Sequence, residues 1–169
     1  MKKVKINFYE LLNFTKRSDI EKANRVKLLI EEVVNNPKFR DEILKANFKD
    51  RRFRNEDQTI VTIDDNKEIL NRLISGKEQF RDEDADYEWD FRISLYRSIT
   101  GEVGKRKKES VLTKKKKFRQ RSDRTIAAHW IHEYIHVIGF THDFKRTEIR
   151  PHSVPYLVGS IAKEILKAE

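Results

Sequence analysis

One eleven-residue stretch constrains this chain more than any other, because it reads H-E-x-x-H-x-x-G-x-x-H. Its fixed positions are His132, Glu133, His136, Gly139 and His142. Residues four apart lie on one face of an α-helix, so the first two histidines can direct two imidazole nitrogens at one ion. Glycine takes positive φ without steric cost, which lets the chain end the helix and return a third histidine. The spacing therefore predicts a metal site on a helix that ends at Gly139.

The predicted ligand set leaves one position of a tetrahedral ion open. Three neutral nitrogens from His132, His136 and His142 are typical of a catalytic zinc ion rather than of a closed structural site. Glu133 follows the first ligand, close enough to reach a metal-bound water without being a ligand. The alternative is an ordinary amphipathic helix with incidental histidines. Three of the chain's five histidines fall in the stretch, which favours the metal site.

Composition excludes several other classes of protein. The 169 residues fit one domain and include no cysteine, so disulfides and thiolate zinc ligands are ruled out. No apolar run approaches the ~20 residues that a membrane-spanning helix needs. Lys5, Asn7 and Glu10 interrupt any apolar core of a signal peptide at the start of the chain. These features predict a cytoplasmic protein with no membrane segment.

Positive charge is concentrated in one region. The chain carries a formal net charge of +9, and residues 105–124 are dominated by lysine and arginine. Such a run is typical of a solvated loop or an edge strand protected by its charge. It also fits a docking surface for an acidic partner, and nucleic acid is one such partner. Val111 and Leu112 are a candidate short strand within it.

Hydrophobic periodicity predicts both helices and strands. Alternating or β-branched segments predict strands over residues 4–8, 59–63 and 89–96. Apolar stripes predict helices over about 18–35, 37–46, 65–76 and 122–139, and a last one from about 153. The candidate caps are Ser18 or Asp19 for the first helix, Asp65 for the third, and Ser122 or Asp123 for the fourth. Residues 50–57 are predicted as a loop. His129 lies on the metal-facing side of its helix, where it either lines the cleft or packs against a neighbour.

The motif resembles that of the metzincin clan of zinc metallopeptidases, which is HExxHxxGxxH followed by a Met-turn. The resemblance implies an α+β fold with a twisted mixed β-sheet and helices. It places the active-site cleft above a small C-terminal helical subdomain. The whole chain, 1–169, would then be one catalytic domain, with an upper part of about 1–139 and a lower part of about 140–169.

The resemblance also implies residue roles. His132, His136 and His142 would bind Zn²⁺, and Glu133 would be the general base. Asp143 stands where some metzincins have a structural hydrogen-bonding residue.

One feature departs from the metzincin pattern. The only methionine is Met1, so no methionine is present for the turn. The segment 153–156 stands in its place, and Pro155 would supply the rigid floor of the site. Some metzincins use a tyrosine beyond the turn to stabilise the transition state, which makes Tyr156 a candidate catalytic residue. The alternative for Tyr156 is a side chain packed at the start of a helix.

Three functions are compatible with these patterns. The first is a zinc metalloendopeptidase that hydrolyses a protein or peptide substrate by attack of a zinc-bound water, assisted by Glu133. The second is a zinc-dependent endoribonuclease similar to bacterial rRNA-maturation metalloproteins, whose pattern is H-G-x-x-H-x-x-G-x-D-H. Glu133 and Thr141 replace the glycine and aspartate of that pattern, which favours the peptidase. The third is a zinc-stabilised binding module, for which Glu133 would have no use.

Overall fold

Helices surround two small sheets in this protein. The computed structural model describes residues 2–79, 86–97 and 110–168. Within these ranges the chain forms six α-helices, a three-stranded parallel sheet and a two-stranded antiparallel pair. The predicted α+β class is confirmed. The main sheet was expected to be mixed, and its three described strands are all parallel.

The main sheet has its longest strand in the middle. The five strands, in chain order, are β1 Lys5–Leu12, β2 Arg52–Arg54, β3 Ile60–Thr62, β4 Glu88–Tyr96 and β5 Val111–Lys114. The main sheet has the order β1-β4-β5, and β2 pairs with β3. Trp89, Phe91 and Ile93 of β4 are buried at alternate positions, as a strand with one core face requires.

Five of the six described helices fall close to the predicted positions, and the short helix in the basic region was not predicted. The six are α1 Arg17–Asn35, α2 Pro37–Lys45, α3 Asn66–Ser75, α4 Lys115–Gln120, α5 Asp123–Ile138 and α6 Val154–Ala168, with a 3₁₀ turn at Arg150–His152. Asp65 caps α3 by accepting a hydrogen bond from the Lys67 N–H at 3.0 Å. Ser122 caps α5 in the same way, through the Thr125 N–H at 3.2 Å.

Two local predictions are wrong. Residues 50–57 were expected to be a loop, yet β2 lies within them and is one strand of the antiparallel pair. Asp19 was a candidate cap for α1, but the helix begins at Arg17. The buried Asp19 carboxylate instead accepts two hydrogen bonds from the Arg119 guanidinium, at 2.9 and 2.8 Å. The role of Asp19 therefore depends on a residue one hundred positions away in the chain.

The basic region is partly integrated into the fold. Residues 105–109 lie outside the described residues, and the expected short strand is β5. The helix α4 follows it directly, and the Lys115 ammonium donates to the Asn13 carbonyl at 3.0 Å. Phe118 is fully buried, with its ring stacked on Trp130 at 5.7 Å between centroids. Only part of this region is therefore a solvated charged surface, with Lys114, Lys116 and Lys117 exposed.

The helix α5 is buried on nearly every side. From Ile126 to Phe140 every residue is buried except four. These are His129, His132, Glu133 and His136, which have the i, i+3, i+4, i+7 spacing of a single helix face. On the opposite side, the Tyr134 ring stacks on Trp89 and Phe91 of β4 at 4.6 and 4.4 Å. The core thereby fixes which face of α5 is accessible.

A glycine allows α6 to approach α5 closely. A Cβ atom at Gly159 would lie 3.1 Å from the His132 Cβ, closer than side chains normally pack. The last helix therefore lies directly against the first histidine of the motif. No helix in the described ranges is both long and apolar enough to cross a membrane.

Replacing Phe118 with alanine tests whether the basic region is docked as described. Removing this fully buried ring should lower the free energy of unfolding by about 3–5 kcal/mol through lost burial and a cavity. Phe144→Ala is the matched control, because that ring is 85% exposed, and its effect should stay within about 0.5 kcal/mol. Both values come from urea denaturation followed by circular dichroism. Equal effects of the two changes would contradict the burial of α4.

Candidate metal centre

Three imidazoles converge at the end of α5. His132 and His136 project from the accessible face of this helix, and His142 returns from the loop that follows Gly139. Their ring centroids are 5.2, 5.8 and 4.7 Å apart. One nitrogen from each ring lies within 4.8 Å of the others, which is close enough for a shared ion. The structure thus brings together the three histidines that the spacing predicted as ligands.

Each of these imidazoles is oriented by a backbone carbonyl. The Nδ1 atoms of His132, His136 and His142 are at hydrogen-bond distance from a carbonyl oxygen, at 2.9, 2.8 and 2.8 Å. The acceptors, in the same order, belong to Pro155, Phe140 and Asp143. A neutral imidazole that donates through Nδ1 keeps its lone pair on Nε2. All three rings therefore have Nε2 as the nitrogen available to a metal, a pairing common around metal-binding histidines.

Burial keeps imidazoles of the site in the neutral form, which is the form that binds a metal cation. Burial is the main cause that lowers the pKa of His132 to about 3, and the neighbouring imidazoles of His136 and His142 contribute to the same shift. Burial also lowers the pKa of His142, with a smaller contribution from the positive charge of Arg150 and an opposing one from its bond to the Asp143 carbonyl. At neutral pH both rings are uncharged, so no proton has to leave before a metal binds.

Gly139 makes the turn between the second and third histidines. Its φ of +130° lies in a region that side chains rarely adopt. A Cβ atom there would also lie 2.9 Å from the Phe53 ring. The Gly139 N–H donates to the His136 carbonyl at 3.1 Å, which ends the helix. Both the conformation and the space around it explain why the motif has glycine at this position.

The strand β2 holds the returning chain in place. The Arg54 N–H donates to the Gly139 carbonyl at 2.9 Å, and the Thr141 N–H donates to the Arg52 carbonyl at 3.0 Å. The rings of Phe53 and Phe140 meet edge to face at 5.0 Å. The segment that leads to His142 is therefore paired with β2 in the manner of a short strand.

Arg52 adds a charged link between this strand and the third histidine's loop. Its guanidinium contacts the Asp50 carboxylate at 2.6 Å and the Asp143 carboxylate at 2.7 Å. These contacts raise the pKa of Arg52, Asp50 contributing most, and lower the pKa of Asp143. Asp143 therefore has the structural role that the metzincin resemblance implied. Sequence reasoning missed Asp50 and Arg52, since nothing in their local pattern links them to residues ninety positions later.

The same segment also positions the start of α6. The Val154 N–H donates to the Asp50 carbonyl at 3.1 Å, and the Lys49 N–H donates to the His152 carbonyl at 3.0 Å. The residues between Lys49 and Arg54 thereby hold both chain segments that complete the site.

Pro155 and Tyr156 form the side of the site where a Met-turn was expected. The Pro155 carbonyl receives the hydrogen bond from His132 described above. The Tyr156 ring lies 4.7 Å from the His132 ring and 5.0 Å from the His142 ring, between centroids. A backbone carbonyl and an aromatic ring thus occupy this position. The catalytic role of Tyr156 stays a prediction.

Glu133 and His129 complete the accessible stripe of α5. The Glu133 carboxylate is about one-third exposed and lies 3.8 Å from Nδ1 of His129. Burial lowers the pKa of His129. His129 thus lies beside Glu133 on the accessible face of the helix. No contact joins it to the three converging nitrogens as a fourth ligand.

The donor set limits which ions fit. Three imidazole nitrogens suit zinc, copper, nickel or iron, and they suit calcium or magnesium poorly, because those ions prefer oxygen ligands. The histidines could hold a metal ion, and nitrogen donors alone do not select one member of the first group.

Comparison with models of known protein families, with curated proteins and with solved structures finds no match. The metzincin resemblance rests on the sequence motif, and the structure shows a cluster of three histidines that could hold a metal ion. Function is therefore inferred from the side chains of the site rather than from relatives.

Removal of one histidine tests whether the cluster binds metal. We expect one Zn²⁺ per chain for the unchanged protein and a loss of affinity of more than about 100-fold for His142→Ala. That exceeds the loss typical of changing a residue that merely orients a ligand. His152→Ala is the control, because this histidine lies near the site but outside the cluster. Isothermal titration calorimetry with Zn²⁺ on chelator-treated protein gives both affinities, and equal affinities would contradict the assignment.

Proposed function

We propose that this protein is a zinc-dependent metallopeptidase of metzincin type. The observation that supports it best is the combination of three converging Nε2 atoms with a carboxylate on the same helix face. Three neutral ligands leave room for a substrate or water, which a structural site does not need. A binding module would have no use for a partly exposed carboxylate beside the first ligand.

The metal ion and the residues of the chain have different roles in the proposed reaction. A bound Zn²⁺ supplies a Lewis acid that polarises the substrate carbonyl and activates water. Glu133 accepts a proton from the attacking water and then delivers it to the nitrogen of the leaving amine. The carbonyls of Pro155, Phe140 and Asp143 keep the imidazoles in orientation throughout. Burial of the surrounding helix strengthens these electrostatic interactions by excluding water.

The sheet offers a place for an extended substrate. In the described ranges, β5 pairs with β4 on one side only, so it is an edge strand. Trp130 of α5 donates a hydrogen bond from its Nε1 to the Thr113 hydroxyl of β5 at 3.0 Å, which holds this strand against the helix that carries Glu133. A peptide that pairs with this edge would pass beside the carboxylate and the histidines, and main-chain pairing would hold it with little demand on its sequence.

Tyr156 is proposed to stabilise the transition state. Its ring packs against two of the three candidate ligand rings, those of His132 and His142. A hydroxyl in such a position can donate to the oxygen that becomes negatively charged during attack.

The nuclease hypothesis receives less support from the site. Of the basic residues in α4, Lys115 donates to Asn13 and Thr15, and Arg119 pairs with Asp19, so neither is free to track phosphates. Glu133 also provides a proton acceptor where the rRNA-maturation pattern has glycine. Structured RNA is nevertheless a useful second substrate in the tests below.

The proposed role of Glu133 is tested by Glu133→Gln. This change removes the proton acceptor but keeps the size of the side chain, so zinc should still bind while hydrolysis of casein falls by about 100- to 10,000-fold. Glu148→Gln, an exposed change in the loop after His142, is the control and should leave the rate unchanged. Structured RNA should remain intact with every variant. RNA cleavage that depends on Glu133, without casein cleavage, would overturn the peptidase in favour of the nuclease.

The proposed role of Tyr156 is tested by Tyr156→Phe. Loss of the hydroxyl alone should lower kcat by about 10-fold or more, because one donor to the developing charge is missing. Zinc affinity and KM should stay close to those of the unchanged protein, since the ring packing is preserved. Tyr9→Phe, at a residue 62% exposed, is the control. Unchanged kcat in Tyr156→Phe would leave Tyr156 with only a packing role.

A further inference from the structure

One guanidinium lies at the rim of the metal centre. The carbon at the centre of the Arg150 guanidinium is 5.2 Å from the centroid of the Tyr156 ring. That ring in turn contacts the rings of His132 and His142. Arg150 is therefore separated from the metal ligands by a single aromatic side chain.

Arg150 is held in place, but no described carboxylate neutralises it. Its Nη1 donates to the Phe144 carbonyl at 2.7 Å, which links the two ends of the segment 144–150. Its Nε is buried and has no hydrogen-bond partner among the residues that the structure describes. Within the same residues, no carboxylate lies within ion-pair distance of the guanidinium. A guanidinium has five N–H donors, and the Phe144 carbonyl occupies one of them.

The neighbouring arginine shows the contrast. Arg52 borders the same loop, and it contacts two carboxylates, those of Asp50 and Asp143. Its charge is thus compensated within the fold, whereas no carboxylate of the described residues compensates that of Arg150. A half-buried cation beside a site for a metal cation is electrostatically unfavourable unless an anion is shared between them. An anion for Arg150 is then expected from outside the described residues.

We propose that Arg150 binds a carboxylate of the substrate, so that the peptidase cleaves bonds flanked by Asp or Glu. This inference rests on the proposed peptidase function and names the substrate class of the same site. Guanidinium and carboxylate groups pair through two parallel hydrogen bonds, which favours an acidic side chain over its amide. The ring of Tyr156 lies between Arg150 and the histidines. A residue that recognises a side chain next to the cleaved bond needs such a separation from the metal site.

A charge exchange tests this role. Peptides that differ only in Glu, Gln or Lys at the positions flanking one bond are compared by kcat/KM. We expect the zinc-loaded protein to prefer Glu over Gln by at least about 10-fold. Arg150→Glu should abolish that preference and favour the Lys peptide, and Arg150→Lys should retain part of it. Arg146→Glu, an exposed arginine of the same loop, is the control and should keep the original order.

A binding measurement separates this inference from the peptidase proposal. Fluorescence anisotropy of the labelled Glu and Gln peptides is measured on zinc-loaded Glu133→Gln, with and without Arg150→Gln. Stronger binding of the Glu peptide that disappears with Arg150→Gln supports the inference, even if no bond is cleaved and the peptidase proposal fails. Cleavage without any charge preference, or a preference unchanged in Arg150→Glu and Arg150→Gln, overturns it and leaves the peptidase intact.

Discussion

The site depends on the backbone pairing between β2 and the segment that follows α5. A helix by itself can present His132 and His136, but His142 lies beyond a glycine turn and needs a partner to fix it. The hydrogen bonds from Arg54 to Gly139 and from Thr141 to Arg52 provide that partner. Asp50 extends the same support to the start of α6. A few residues far from the motif thus determine whether three histidines converge.

Burial and charge are arranged differently on the two sides of α5. The core side is aromatic and aliphatic, with Tyr134 stacked on β4, and the accessible side carries only polar, titratable groups. Because the buried residues cannot rotate away from the core, the accessible stripe cannot rotate either. Rigid packing therefore positions the imidazoles and Glu133 before any ligand arrives. Such preorganisation is what makes electrostatic catalysis effective.

Much of the secondary structure was predictable from the chain. The stripes of α1 and α3, the alternation in β4 and the caps Asp65 and Ser122 are local signals, and each appears in the structure. The failures have a common cause. The strand β2 is three residues long and has no alternation of its own, so only its pairing with β3 and with the chain after Gly139 defines it. Asp19 likewise acquired its role from Arg119, one hundred residues away.

The sequence by itself determined the three candidate ligands, the glycine turn and the neighbouring carboxylate, because helix periodicity and glycine's conformational freedom act within eleven residues. The tertiary structure alone decided how those residues are supported. The Pro155 carbonyl that orients His132 lies 23 residues along the chain, and the Arg52 that anchors Asp143 lies 91 residues away. Tyr156 and Arg150 are also brought to the site only by folding. Contacts between distant residues leave no periodic signal in the sequence, so they are seen only in the tertiary structure.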